Sequence, residues 1–76
     1  MPMLPVINHK KLEKVLKNLG FEEIRQKGSH AFFKRFSDGK TTVVPKHNGD
    51  LGKGLLRKIL NEIDLSIGEL EKRLRK

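Results

Sequence analysis

The sequence predicts an α+β fold in which one helix, three antiparallel strands and a second helix follow in order, with a short third helix at the end. Two observations predict this class. Apolar residues recur at helical spacing towards both ends of the chain, and the middle contains short strand-forming runs separated by turn residues. A length of 76 residues allows one small domain, and we expect a single domain over residues 1–76.

The first predicted helix begins after Asn8, a residue type that favours the N-cap position. Gly20 is expected to end this helix in a left-handed conformation, and Phe21 to fold back on its last turn. Residues 1–7 are expected to form an extended arm, because two prolines in this segment disfavour helix. The apolar face of the helix repeats at the i, i+3, i+4, i+7 spacing and consists of Leu12, Val15, Leu16 and Leu19.

Three short strands are predicted in the middle of the chain, over residues 22–26, 30–36 and 41–44. Turn residues at 27–29 and 37–40 separate them, and the second turn contains an Asp-Gly pair, a strong hairpin signal. Because short turns join neighbouring antiparallel strands, the sequence predicts a three-stranded antiparallel meander.

Pro45 is expected to end the last strand, and Asp50 to cap the second helix after a loop over residues 46–49. A third helix is predicted from Ser66, because Ser66 and Glu69 match the S-x-x-E capping box. The two main helices can cover one face of the sheet, which leaves the other face free to bind a partner. The apolar stripe of the second helix consists of Leu55, Leu56, Ile59, Leu60 and Ile63.

The charge of the chain points to polyanionic partners. It has 17 Lys and Arg against 9 Asp and Glu, a net charge of +8, which suits nucleic acid, an anionic membrane surface or an acidic protein. The absence of cysteine excludes disulfides and thiolate metal sites. The chain has four phenylalanines and no Trp or Tyr, which are few aromatic residues for a broad surface that stacks nucleic-acid bases. With no membrane span or signal peptide visible, we expect a soluble, cytoplasmic protein.

His30 is the candidate catalytic residue, because it follows a glycine turn at the start of the central strand and imidazole exchanges protons near neutral pH. An exposed histidine with no catalytic role is the alternative. Both faces of the predicted strand are partly apolar, so the pattern allows His30 to lie on either face. His47 could bind phosphate, position a strand or cap its loop, and His9 is expected to be a solvated surface residue. Histidines and carboxylates lack metal-ligand spacing, so no metal or other cofactor is expected.

Basic residues are expected to surround the His30 end of the sheet and to bind nucleic acid. The second helix adds a basic N-terminus with two glycines, and helix N-termini bind phosphate well. Charges that only keep a small protein in solution are the alternative. The predicted nucleic-acid-binding residues are Lys27, Lys34, Arg35, Lys46, His47, Lys53 and Arg57.

Over residues 8–66 the chain resembles the HicA-type toxins, the small mRNA interferases of HicA/HicB toxin–antitoxin modules. The resemblance depends on short motifs in a fixed order. They are Leu16 to Phe21, Gly28-Ser29-His30, Val43-Val44-Pro45 with His47, Lys53-Gly54-Leu55-Leu56-Arg57, Ile59-Leu60 and Asp64-Leu65-Ser66. Leu55 departs from the family pattern, in which Thr often follows the Lys-Gly pair, and the family assigns no role to the charged tail after Ser66.

The resemblance implies a fold like that of a double-stranded RNA-binding domain, and mRNA cleavage without a metal. It implies that His30 of the Gly28-Ser29-His30 motif is catalytic, and that a HicB-type antitoxin masks the site. His30 would take the proton of a ribose 2′-OH, whose oxygen attacks the adjacent phosphorus and leaves a 2′,3′-cyclic phosphate and a 5′-OH. Lys27, Lys46 and His47 remain alternatives for protonating the leaving oxygen.

Two other functions fit the same residues. A non-catalytic RNA-binding module of this fold would need shape and phosphate contacts but no histidine. A small interaction protein would use the basic surface to dock an acidic partner.

Overall fold

The computed structural model describes residues 3–75, so the first two residues of the expected N-terminal arm lie outside the described part. Its order of helices and strands confirms the predicted α+β fold, with the arrangement of a double-stranded RNA-binding domain. The elements are α1 (His9–Asn18), β1 (Glu22–Lys27), β2 (His30–Arg35), β3 (Lys40–Pro45), α2 (Lys53–Glu62) and α3 (Ile67–Leu74).

Helix α1 has the predicted ends. The Asn8 side chain accepts the backbone N–H of Lys11 at 3.0 Å, which caps the N-terminus. Gly20 adopts a φ of +94°, and the N–H of Phe21 donates to the carbonyl of Leu16 at 2.9 Å. This Schellman motif turns the chain so that the Phe21 side chain, 2% exposed, enters the core.

The strands form the predicted antiparallel meander in the order β1-β2-β3. Residues 28 and 29 make the first turn, because Lys27 pairs directly with His30. In the second turn Gly39 has a φ of +75° and Asp38 accepts the N–H of Lys40 at 3.2 Å. A bulge in β1 shifts the register after residue 23.

Alternation along β2 divides the sheet into a core face and an open face. Ala31 and Phe33 are fully buried on the core face, under α1 and α2. His30, Phe32 and Lys34 point the other way. The open face therefore carries these three side chains, and the strand register adds Glu22, Arg25 and Lys27 from β1 and Thr41 and Val43 from β3.

The start of α2 differs from the prediction. Its N-cap is Gly52, and Asp50 instead pairs with Asn8 in an isolated antiparallel bridge. The N–H of Leu51 also donates to the carbonyl of Ile7 at 2.8 Å. The expected Asp50 cap is wrong because a long-range backbone pairing places this residue beside the start of α1, away from the first turn of α2.

Helix α3 begins as predicted, with the Ser66 hydroxyl accepting the N–H of Glu69 at 3.1 Å. Leu70 is fully buried, and α3 packs against α1. Within residues 3–75, no helix has the length and apolar character needed to cross a membrane.

Candidate active site

His30 lies at the exposed start of β2, directly after a turn whose two carbonyl oxygens each accept a hydrogen bond. Gly28 has a φ of +59°, a conformation that glycine adopts most readily, and its carbonyl accepts the side-chain amide of Gln26 at 2.9 Å. The carbonyl of Ser29 accepts the backbone N–H of Lys46 at 2.6 Å. The Gly-Ser-His turn is therefore joined directly to the loop that follows β3.

The same connection brings His47 to His30. The two imidazole rings lie with their centroids 6.3 Å apart and their planes at 83°, and both residues are exposed. The register explains this, because His30 pairs with Pro45, which lies two residues before His47. The sequence indicated each histidine as a candidate, but their pairing depends on the strand register.

Lys46 anchors this loop through its side chain as well as its backbone. Its Nζ lies 3.0 Å from Oε1 of Glu23 and 3.5 Å from Oε1 of Glu13. The hydrogen bond to Glu23 raises the pKa of Lys46, and the charge of Glu13 adds to the effect. The ammonium is therefore held by carboxylates and releases a proton less readily than a free lysine does.

His9 is half-buried, in contrast to the expected solvated position, because its Nδ1 is hydrogen-bonded to Oε2 of Glu13. We call His9, Glu13, Glu23 and Lys46 the anchoring cluster, since the two carboxylates link the start of α1 and β1 to the loop after β3. The i, i+4 spacing of His9 and Glu13 was a signal in the sequence for this contact.

A cavity of about 160 Å³ lies beside His47, between the start of α1 and the loop after β3. The sequence did not predict that the start of α1 forms one side of this cavity, because the loop folds onto α1 only through long-range backbone pairing. Among the side chains of residues 3–75, no group of three or more His, Cys, Asp or Glu is arranged to hold a metal ion. The residues that line the cavity are Asn8, His9, Lys10, His47, Asn48 and Gly49.

Two of the predicted basic residues lie on the open face. Lys27 is exposed and stands directly opposite His30 in the β1–β2 register. Lys34 lies further along β2, about 13 Å from His30 at the usual rise per strand residue, and its ammonium is 5.0 Å from the ring centroid of Phe36. Cations therefore extend along this face from the histidine pair.

Arg35 is the last residue of β2, at the other end of the strand from His30, and its guanidinium has intramolecular partners. It donates to both carboxylate oxygens of Asp38, at 3.1 and 2.8 Å, and to the carbonyl of Leu19 at 3.1 Å. It also lies 4.7 Å from the ring centroid of Phe21. These contacts join the β2–β3 turn to the end of α1, a structural role that was not predicted for this arginine.

Lys53 and Arg57 are exposed on α2. Arg57 lines a groove of about 190 Å³ together with residues of α2 and of the segment that begins α3. This groove and the cavity beside His47 share no lining residue. Lys27 thus lies beside the histidine pair, whereas Arg57 borders the groove between α2 and the start of α3.

Two exposed imidazoles at this separation can exchange protons with groups on one bound molecule.

Comparison with curated proteins finds no match to the chain. A family model described as the HicA toxin of bacterial toxin–antitoxin matches residues 9–65, a segment that contains His9, His30 and His47 and covers well over half of the 76 residues. The chain therefore belongs to the HicA toxin family.

Proposed function

We propose that the protein is an mRNA interferase, an endoribonuclease toxin that cleaves RNA by transesterification at a ribose 2′-OH. The observation that carries the proposal is the exposed pair of His30 and His47, with ring centroids 6.3 Å apart. The net charge of +8 suits a polyanionic substrate, and membership of the HicA toxin family supports the role of a toxin.

His30 is the proposed general base. Its neutral imidazole takes the proton of the 2′-OH, and the 2′ oxygen forms a bond to the adjacent phosphorus while the bond from phosphorus to the 5′ oxygen breaks. The products are a 2′,3′-cyclic phosphate and a 5′-OH. The position of His30 on a strand next to a hydrogen-bonded glycine turn supports this role, since a catalytic base must be held in place.

His47 is the proposed general acid, which gives the leaving 5′ oxygen its proton. Its ring is close enough to that of His30 for both to reach one phosphodiester. Lys46 is a weaker candidate, because two carboxylates hold its ammonium and its pKa is raised. Lys27 stands opposite His30 and is better suited to contact a phosphate oxygen as a fixed positive charge.

Lys27, Lys34, Lys53 and Arg57 are the proposed contacts to the RNA backbone, since all four side chains are at least partly exposed. Cations near the reacting phosphate stabilise the charge that develops on its oxygens. Arg35 is left out of this set because its guanidinium is engaged by Asp38 and the carbonyl of Leu19. Lys46 positions the loop rather than the substrate.

The ends of the RNA products test the proposed reaction. We expect the purified protein, in EDTA, to cut RNA into fragments with 2′,3′-cyclic phosphate and 5′-OH ends, read by mass spectrometry. The same RNA carrying 2′-O-methyl groups throughout should stay intact, because the nucleophile is blocked. Products with 5′-phosphate ends would contradict the mechanism, and binding without cleavage would favour a non-catalytic RNA-binding module.

A HicB-type antitoxin is the proposed protein partner. The family is described as the toxin of a bacterial toxin–antitoxin, and exposed histidines can be masked by a partner that covers the open face. The product of the adjacent open reading frame is the protein to test. We expect it to form a stable complex with the toxin and to stop RNA cleavage, and a complex that cleaves RNA at the full rate would contradict masking.

A further inference from the structure

We propose that the open face beside His30 binds single-stranded RNA by stacking bases on Phe32 and Phe36. This inference rests on the proposed ribonuclease function and specifies its substrate as unpaired RNA. On the open face, aromatic and basic side chains alternate next to the histidine pair.

The four phenylalanines are divided between the core and the exposed surface. Of the four in the chain, Phe21 and Phe33 are 2% and 0% exposed in the core, whereas Phe36 is 61% exposed and Phe32 is half-buried. Composition alone suggested too few aromatic rings for base stacking, but the fold places Phe32 on the open face and Phe36 beside Lys34, just after β2 ends. An aromatic ring that remains exposed to water is available to a base.

Each of these two rings has a cation over it. The guanidinium of Arg25 lies 4.5 Å from the ring centroid of Phe32, and the ammonium of Lys34 lies 5.0 Å from that of Phe36. A nucleotide supplies a base for the ring and a phosphate for the cation, so it can satisfy both members of each pair. Bases stacked on aromatic rings beside basic side chains are typical of single-strand binding surfaces.

Charge favours a nucleic acid over a second copy of this chain as the occupant. The strand register places three cations (Arg25, Lys27 and Lys34) and one carboxylate (Glu22) on the open face, so facing two copies of it would bring an excess of like charge together. Duplex RNA fits poorly, because its bases are stacked on one another and present no free faces. A single strand offers the negative charge and the free base faces together.

The open face also leads to the proposed reaction centre. His30, Phe32 and Lys34 point the same way from β2, at steps of about 7 Å for every second strand residue. A single-stranded RNA whose bases stack on Phe32 and Phe36 would therefore follow β2 towards the histidine pair. The stacking surface and the cleavage site would hold neighbouring nucleotides of one RNA.

The phenylalanine rings themselves report the binding. We would add a single-stranded 2′-O-methyl oligouridylate, which cannot be cleaved or self-pair, to the ¹³C-labelled protein and follow the ring signals. We expect the signals of Phe32 and Phe36 to shift, while those of the buried Phe21 and Phe33 stay in place as internal controls. Binding that leaves the Phe32 and Phe36 signals unmoved would overturn the proposal.

Affinity measurements on variants give a second test. Phe36→Leu and Phe32→Leu keep an apolar side chain but remove the ring, and each should weaken oligouridylate binding about 5-fold or more in fluorescence anisotropy. Val6→Ala, at an apolar residue 68% exposed on the N-terminal arm, is the control and should bind normally. Unchanged affinity in both Phe variants would overturn the proposal, and so would self-association that Phe36→Leu abolishes.

Because the oligouridylate has no free 2′-OH, this test is independent of cleavage. Weakened binding in the Phe variants of a protein that cuts no RNA would support the stacking surface and contradict the nuclease. Normal binding in the Phe variants of a protein that cuts RNA would contradict the stacking surface alone.

Discussion

At the scale of single residues, the pair of Arg35 and Asp38 shows how one carboxylate secures a turn. The hydrogen bond from Arg35 is the main cause that lowers the pKa of Asp38 from an ordinary 3.8 to about 2. The folded state therefore binds a proton at Asp38 less readily than the unfolded chain. This linkage stabilises the fold above pH 3.8, and the contribution is lost as the pH falls through about 2.

We predict that Asp38→Asn lowers the free energy of unfolding at neutral pH, because Arg35 then loses its charged partner. The difference from the wild type should stay constant above about pH 4 and shrink as the pH falls towards 2. Denaturant unfolding at a series of pH values measures it. A difference that stays the same at pH 2.5 would show that the carboxylate charge is not involved.

The proposed roles of His30 and His47 predict opposite effects of pH on kcat/KM, because the base must be unprotonated and the acid protonated. If His30 acts as base and His47 as acid, kcat/KM should rise and then fall with pH. We predict that His47→Ala slows cleavage about 10²- to 10⁴-fold and removes the alkaline limb of the profile. Asn18→Ala, at an exposed residue at the end of α1, is the control. An alkaline limb that survives in His47→Ala would assign the acid to another group.

At the scale of elements, the ends of the helices depend on glycine in two different ways. Gly20 has a φ of +94°, whereas Gly54 lies in the first turn of α2 without a positive φ. A Cβ at Gly20 would meet Arg35 at an ordinary 3.5 Å, and one at Gly54 would meet nothing within 4 Å. Backbone conformation, not space, therefore separates the two positions.

We predict opposite effects for the matched substitutions to alanine. Gly20→Ala should lower the free energy of unfolding by about 1–2 kcal/mol, because alanine is strained in the left-handed conformation. Gly54→Ala should raise it by up to about 1 kcal/mol, because alanine favours the helix. Denaturant melts of the two variants measure both, and a stabilising Gly20→Ala would contradict the Schellman ending of α1.

The elements that could be predicted from the sequence are those decided by local chemistry. Asn8 and Ser66 cap helices because their side chains reach a backbone N–H three residues later. The cap expected at Asp50 was wrong because pairing with Asn8, distant in the chain, determines its position. His30 was identified as a candidate, but its contact with His47 depends on a strand register that no local pattern specifies.

At the scale of the whole molecule, the net charge of +8 is spread over several surfaces. Lys27 and Lys34 lie along the open face and Arg57 borders a groove at α2, whereas Arg35 and Lys46 are engaged by intramolecular carboxylates. A high net charge therefore does not mean that every cation meets the RNA. Only the cations that contact phosphate contribute to the salt dependence of binding.

We predict that the affinity for single-stranded RNA falls as salt rises, and that Lys27→Ala and Lys34→Ala each reduce the log–log slope by about 0.7. Lys72→Ala removes the same charge from an exposed position on α3 and should leave the slope nearly unchanged. Binding titrations at several salt concentrations measure the slopes. Equal slopes for Lys27→Ala, Lys34→Ala and Lys72→Ala would show that the open face does not contact the RNA backbone.

The measurement that tests the central claim most directly is the single-turnover rate of RNA cleavage by His30→Ala in EDTA, compared with the wild type. If His30 is the base of a metal-independent ribonuclease, the rate should fall about 10²-fold or more, while the buried Phe21 and Phe33 ring signals show an unchanged core. A His30→Ala protein that cleaves RNA at the wild-type rate would contradict the assignment of the catalytic base.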